Sequence, residues 1–263
     1  MAPAALFLVA FFIVPLAGNV WDSVHSDAVF DLGSYRKLLT DGFYLGVIGQ
    51  TVGLSLLVTA VSLLIGYPVA YFLARQAGRW SGLVMFGLVA PLLTSIIMRT
   101  YGWRVLFARR GLVNSVLMDL GLIGRPADLS TGLIIVVAAL VHVLVPYMVL
   151  SLAAVLKGID PQIEEAARIH GGSGWRTFWL ITVPLSLDGI ATGAILVFML
   201  AAGSFVTVLL LGGGIQTLPL LIFQQFSTTR DFPLASAMSN VLLLLALACL
   251  FVQLRLFRRA GVA

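Results

Sequence analysis

The sequence predicts an all-α membrane protein with six transmembrane helices, and three observations carry that expectation. Of 263 residues, 60% are hydrophobic and only 10% are charged, against about 25% charged in an ordinary soluble domain. The charges are also segregated. Residues 1–21, 42–74, 80–98, 129–156, 189–229 and 232–254 contain no Asp, Glu, Lys or Arg, and each run is near or above the roughly 20 residues an α-helix needs to cross the hydrocarbon core. Finally, the runs are continuously apolar rather than alternating. Backbone polar groups inside lipid must be satisfied within the segment, so continuous runs mean helices, not barrel strands.

Taken in order, the first run is apolar from residue 4 to 17 but has no basic leader and no Ala-x-Ala exit, so it reads as an uncleaved span rather than a signal peptide. Runs 42–74, 80–98 and 129–156 supply spans two to four. The 41 residues of 189–229 read as one span. Gly212, Gly213 and Gly214 interrupt them, and Gln216, Thr217, Gln224, Gln225, Ser227, Thr228 and Thr229 beyond are too polar to face lipid. That part is expected at the surface or dipping in partway. The last run carries Cys249, the single cysteine, which excludes an internal disulfide and a thiolate metal cluster and reads as a small apolar side chain. Six spans place both termini on one face, and the whole of 1–263 reads as one transmembrane domain.

The net charge of +5 fits basic cytoplasmic loops rather than nucleic-acid binding. Counting loop charges does not orient the chain. One face carries Arg75, Arg79, Lys157, Arg168, Arg176, Arg255, Arg258 and Arg259. The other carries Arg36, Lys37, Arg99, Arg104, Arg109, Arg110, Arg125 and Arg230. The totals are equal, although the first face has the shorter loops and a basic tail.

The loop at 157–188, KGIDPQIEEAARIHGGSGWRTFWLITVPLSLD, is the long polar exception. Asp160 is a good N-cap and Pro161 fits the first helical position. Glu164 and Glu165 come early and Arg168 late, as the helix dipole favours. Gly171 and Gly172 supply the stop. The expected helix is about ten residues long, below the ~12–15 needed for marginal stability alone, so packing must hold it. Ser173 can cap a second short helix through Trp175, Phe178 and Trp179 to Pro184, with rings suited to a membrane interface. A solvated loop resting on lipid and a docking surface for a partner protein both fit this pattern. Ala166 and Ala167, small residues between charged neighbours, suit insertion into a groove.

Glu165-Ala166-Ala167, three residues, Gly171, nine residues, Ile181, one residue and Val183-Pro184 resembles the EAA loop of permease subunits of binding-protein-dependent ABC importers, with Val183 where leucine is usual. The likeness extends along the chain. LGSYRKLL at 32–39, GYPVAYFLAR at 66–75, RTYGWRVLF at 99–107, GLVNSVL at 111–117, VHVLVPYMVL at 141–150 and SFVTVLLLGG at 204–213 are similar, in order, to segments of the spermidine/putrescine class. The resemblance implies the type I importer permease fold in a bacterial inner membrane, with the 157–188 loop and both termini cytoplasmic. It implies that Glu164, Glu165, Ala166, Ala167, Arg168, Gly171 and Gly172 dock on an ATPase. It also implies the partners: a second permease subunit, two ATPase subunits, an extracytoplasmic solute-binding protein and membrane lipid. ATP and Mg would then belong to the ATPase, with no cofactor and no metal in this chain.

The residues agree with that division of labour. Lys37 and Lys157 are the only lysines and neither follows a glycine-rich loop, so no phosphate-binding P-loop exists. His25, His142 and His170 are far apart, with no carboxylate or thiol at ligand spacing, which leaves a metal site or hydrolytic triad without support. No span holds a mid-depth Asp or Glu, whereas ion-coupled carriers keep such groups despite their cost. A secondary carrier or channel acting alone is the competing class. His142, just before Pro146 and Tyr147, reads as hydrogen-bonded to a neighbouring helix or to a carbonyl freed by the proline. Gly49 with Gly53 and Gly189 with Gly193 read as helix-packing pairs. Gly203-Ser204 is a mid-span break followed by Thr207. Ser204 and Thr207 are candidate path residues, with Tyr101 and Trp103 at the outer mouth. The polyamine-type relatives sometimes carry an acidic residue where Ser204 stands and often proline where Val208 stands, so this chain departs from their pattern there.

Overall fold

In the computed structural model the backbone is described for residue 7, 9–26, 29–76 and 78–261, and the side chains of 253, 254 and 256–261 are excepted. The described chain is helical apart from an antiparallel pair, β1 (His25–Ser26) and β2 (Val29–Phe30), which the sequence reading did not anticipate. The helices are α1 (Val9–Ser23), α2 (Gly33–Thr40), α3 (Gly42–Arg75), α4 (Gly78–Leu93), α5 (Ile96–Phe107), α6 (Leu112–Asp119) and α7 (Leu133–Gly158). Then follow α8 (Pro161–Ile169), α9 (Gly174–Leu185), α10 (Leu187–Ala202), α11 (Val206–Leu211), α12 (Leu218–Gln224) and α13 (Phe232–Gly261).

Three of these, α3, α7 and the Phe232–Val252 part of α13, are each long and apolar enough to cross a membrane. Two bent pairs are together as long and apolar as a span. The helix Gly78–Leu93 turns by 102° into Ile96–Asp119, and Gly174–Leu185 turns by 65° into Leu187–Ala202. The sixth expected span coincides with α1, which is shorter than a full crossing among the described residues; residues 1–6 and 8 lie outside them.

The third run, 80–98, is not one straight helix. Helix α4 stops at Leu93, where the Arg99 guanidinium reaches back to its end. Its Nη1 donates to the Pro91 carbonyl at 2.9 Å and its Nη2 to the Thr94 carbonyl at 3.1 Å. The guanidinium thus joins the Thr94 hydroxyl, which donates to the Pro91 carbonyl at 2.8 Å, in binding carbonyls at this helix end.

The chain forms two compact units, 1–52 with 215–247, and 53–214 with 248–263. In the first, Leu38, Tyr44, Val47, Leu218, Leu221, Leu234, Ala237 and Met238 form one buried cluster. The start of α12, in the part expected at the surface or dipping in partway, packs into this cluster. Leu218, Pro219, Leu220 and Leu221 are buried, and the Leu218 amide donates to Thr51 Oγ1 at 2.9 Å. A second centre joins α1, α2 and α13. Asn240 Nδ2 donates to Ser23 Oγ at 3.0 Å and Tyr35 OH at 2.9 Å, and its Oδ1 accepts from Asn19 Nδ2 at 2.7 Å.

In the second unit, α7 and α10 pack closely along one another. The small-residue pair makes this possible. A Cβ on Gly193 would come within 2.6 Å of Met148 Sδ, and one on Gly189 within 3.1 Å of Val155. Gly49 and Gly53 differ: among the described residues nothing lies within 4 Å of where a Cβ would sit. After α11, Gly213 and Gly214 adopt φ of 57° and 110°, conformations that glycine takes without a Cβ penalty. The Gly132 amide donates to the Leu211 carbonyl at 2.8 Å, so this glycine turn is fastened to the start of α7.

Candidate coupling loop and path residues

The polar loop folds as two capped helices. Asp160 Oδ1 accepts from the Gln162 amide at 2.9 Å, with Pro161 at the first helical position. At the other end of α8 the Gly171 amide donates to the Arg168 carbonyl and the Gly172 amide to the Ala167 carbonyl, both at 3.0 Å. With Gly171 at φ 87°, this is the paired closure of a Schellman motif, in which a left-handed residue lets the last carbonyls be satisfied. Ser173 Oγ then accepts from the Arg176 amide at 3.3 Å and starts α9. Helix α8 has nine residues, close to the ten expected.

The seven candidate docking residues divide into two groups. Glu165, Ala166, Arg168 and Gly171 are exposed, and Ala167 and Gly172 are half-buried. Glu164 is buried, the one buried side chain of α8, and its carboxylate is occupied within the chain. Arg75 Nη2 and Nε donate to Oε1 at 3.0 and 3.3 Å, Thr182 Oγ1 donates to Oε1 at 3.2 Å, and Tyr71 OH donates to Oε2 at 3.2 Å. Its place is inside the fold, fastening α8 to α3 and α9. Ile163 and Ile169, which the sequence reading did not single out, are exposed beside the docking residues, Ile169 at 84%. Apolar side chains this open on a polar helix suit a covering partner.

Further residues missed from sequence surround Glu164. Tyr67 OH and Ser186 Oγ share a 2.7 Å hydrogen bond, and Phe178 sits edge-on to Tyr67 and Tyr71 at centroid distances of 5.3 and 5.9 Å. Positions 67, 71 and 75 on α3 thus face 178, 182 and 186, each set at the four-residue spacing of one helix face. Trp175 and Trp179 point outward, 72% and 51% exposed, as expected of interfacial rings.

The candidate path residues are only partly brought together. Helix α10 ends at Ala202 and α11 begins at Val206, so the expected break at Gly203-Ser204 exists. Ser204 is half-buried and Thr207 is 5% exposed, and α11 packs on α5 and α7. On α5, Tyr101 is 66% exposed. Trp103 turns to α7, where its Nε1 donates to His142 Nδ1 at 3.3 Å. His142 is therefore bonded to a neighbouring helix, one of the two alternatives read from sequence. The pair lies on the wall of an open apolar cavity of about 710 Å³, with Val61, Pro91, Val141 and Pro146 also on it.

Residues 3–262 match the family model described as binding-protein-dependent transport system inner membrane component. The chain is 34% identical over 231 residues to the spermidine/putrescine transport system permease protein PotB of Escherichia coli, covering 88% of this chain and 84% of that protein. It is 32% identical over 218 residues to PotB of Haemophilus influenzae, covering 82% and 76%. A similarity of 25% over 273 residues, 98% and 97% of the two chains, links it to the osmoprotective compounds uptake permease protein GgtC of Synechocystis. Among solved structures, a chain of a bacterial ABC transporter involved in import of the acidic polysaccharide alginate superposes with a TM-score of 0.79 at 18% identity, covering 98% of this chain and 93% of that one. A chain of the MetNI methionine ABC transporter superposes at 0.59 and 15% identity, covering 85% and 100%. Those structures share the fold, and the family match and the PotB similarities carry the identity: this chain belongs to the binding-protein-dependent transport system inner membrane components and is a permease subunit of an ABC importer.

Proposed function

We propose that the importer moves a small polar solute of polyamine type, and that this chain forms one half of its channel beside a second permease subunit. Two separate ATPase subunits hydrolyse ATP with Mg, and an extracytoplasmic binding protein delivers the solute. The loop at 157–188 and both termini face the cytoplasm. The observation that carries the docking part is α8 itself, a nine-residue helix capped at both ends. It presents Glu165, Ala166, Arg168 and Ile169 outward while Glu164 anchors it inward. A helix this short needs packing to persist, and its open face is suited to a groove on another chain. The substrate class is supported by the similarity to the two spermidine/putrescine permeases. Ser204 and Thr207 flank the break between α10 and α11, and we assign them, with Tyr101 and Trp103, to the solute path.

The test is ATP hydrolysis by the complex co-expressed with its partners, stimulated by binding protein loaded from a panel of small solutes. Polyamines are expected to stimulate it several-fold. Stimulation by an anionic sugar or an amino acid and not by polyamines would overturn the substrate assignment. In the same assay Ser204→Leu with Thr207→Leu should lower transport while ATPase subunits still co-purify; normal transport would reduce both residues to packing.

A further inference from the structure

We propose that the face of α3 bearing Tyr67, Tyr71 and Arg75 is a strut that makes the Arg75 end of α3 move with α8, and that Glu164 and Arg75 are its positioning residues. This inference rests on the coupling role of α8 proposed above and adds the route by which motion leaves it.

The geometry is a ladder of polar and ring contacts between two helix faces. One rung is Tyr67 to Ser186 at 2.7 Å. The next is the Glu164 carboxylate, which accepts from Arg75, Tyr71 and Thr182 at 3.0 to 3.3 Å. Phe178 lies edge-on between Tyr67 and Tyr71. These two tyrosines stand on either side of Pro68, where α3 lacks one helical hydrogen bond and is most easily bent. The ladder splints the helix across that weak point.

The ion pair itself is enclosed, with the Arg75 and Glu164 side chains 10% and 7% exposed. A buried ion pair is a poor source of stability compared with apolar packing, but fixing register is a use to which such pairs are put. Here the register fixed is that of three elements, α3, α8 and α9. Because Glu164 is the one buried side chain of α8, force applied to the exposed face of that helix enters the body of the protein largely through this carboxylate.

The experiment compares solute moved per ATP hydrolysed in proteoliposomes containing the complete complex and loaded binding protein. Glu164→Gln keeps the shape and one acceptor oxygen but removes the ion pair. It is expected to lower the transport-to-ATP ratio at least tenfold with ATPase subunits retained at the parental level. Thr182→Val, which removes one donor and no charge, should lower the ratio about threefold. The double change Glu164→Gln with Arg75→Gln, a neutral amide pair, should recover part of the loss. An unchanged ratio in Glu164→Gln, or in Thr182→Val if the first variant does not fold, overturns the strut. Loss of ATPase co-purification in Glu164→Gln also overturns it, because that is the mark of a docking residue. If a cysteine placed at Ala166 cross-links to the ATPase while the ratio in these variants stays parental, the strut alone has failed. If no such cross-link forms, the coupling role of α8 has failed.

Discussion

Glu165→Lys is expected to abolish solute uptake while leaving the protein folded in the membrane. Glu165 is exposed on α8, and substitutions at open helix positions without special contacts usually change stability by no more than about 0.5 kcal/mol. A folding defect is therefore not the expected route to loss. Reversal of charge at the centre of the proposed docking face is different, since a lysine set against a basic groove that accepts Glu165 is a like-charge juxtaposition costing several kcal/mol. Uptake should fall to background, ATPase subunits should no longer co-purify, and the amount of chain in the membrane fraction should match the parent. Gly171→Val should give the same phenotype by another cause. Gly171 holds φ at 87°, and a β-branched residue there costs on the order of 1–3 kcal/mol, which opens the Schellman closure and frays the end of α8. Normal uptake by both variants contradicts the docking role.

Asn240→Leu is expected to be the most damaging single change in the first unit. Asn240 is 6% exposed and bonds to Asn19, Ser23 and Tyr35 at 2.7 to 3.0 Å. Leucine has the same number of side-chain heavy atoms and the same branch point, so the loss is chiefly one of hydrogen bonds. Ser23, 1% exposed, keeps its bonds to the Val20 carbonyl and Tyr35, but Asn19 loses its side-chain partner. Each polar group left unsatisfied in the interior costs about 1–3 kcal/mol, and together they loosen α1 and α2 from α13. Protease resistance of the membrane-embedded chain should fall markedly, whereas Asn240→Asp, which retains the acceptor, should fall less. Parental resistance in Asn240→Leu would show that the network is dispensable.

The parts of this fold that were legible in the sequence are those fixed by local chemistry. Charge-free runs locate the apolar helices because a charge inside lipid is costly, and Asp160, Pro161, Gly171 and Ser173 mark helix ends because capping involves near neighbours. What stayed hidden depends on distant partners. Glu164 and Glu165 are adjacent and identical, and a dipole argument places both at the start of the same helix. The partners of the first, Arg75 and Tyr71, 89 and 93 positions away in the chain, and Thr182, hold it inward. The spacing of Tyr67, Tyr71 and Arg75 was a usable signal, three polar side chains on one face at the end of an apolar helix. The bend after Leu93 was hidden for the same reason: Arg99 looks like a loop charge until its guanidinium is seen on the Pro91 and Thr94 carbonyls. The apolar stretch 218–221 was masked by its polar neighbours Gln216, Thr217, Gln224 and Gln225, yet it is buried.

The measurement closest to the central claim is a cross-link from α8. Cys249 is the only cysteine, so Cys249→Ser provides a background in which Ala166→Cys is unique, with Arg36→Cys as a control in a segment proposed to face away from the cytoplasm. In the co-expressed complex, a short thiol-reactive cross-linker should join position 166 to an ATPase subunit, and the yield should change when ATP is added. Position 36 should give no ATPase product. Absence of an ATPase cross-link at 166, or an equal one at 36, would contradict the assignment of α8 as the element an ATPase grips.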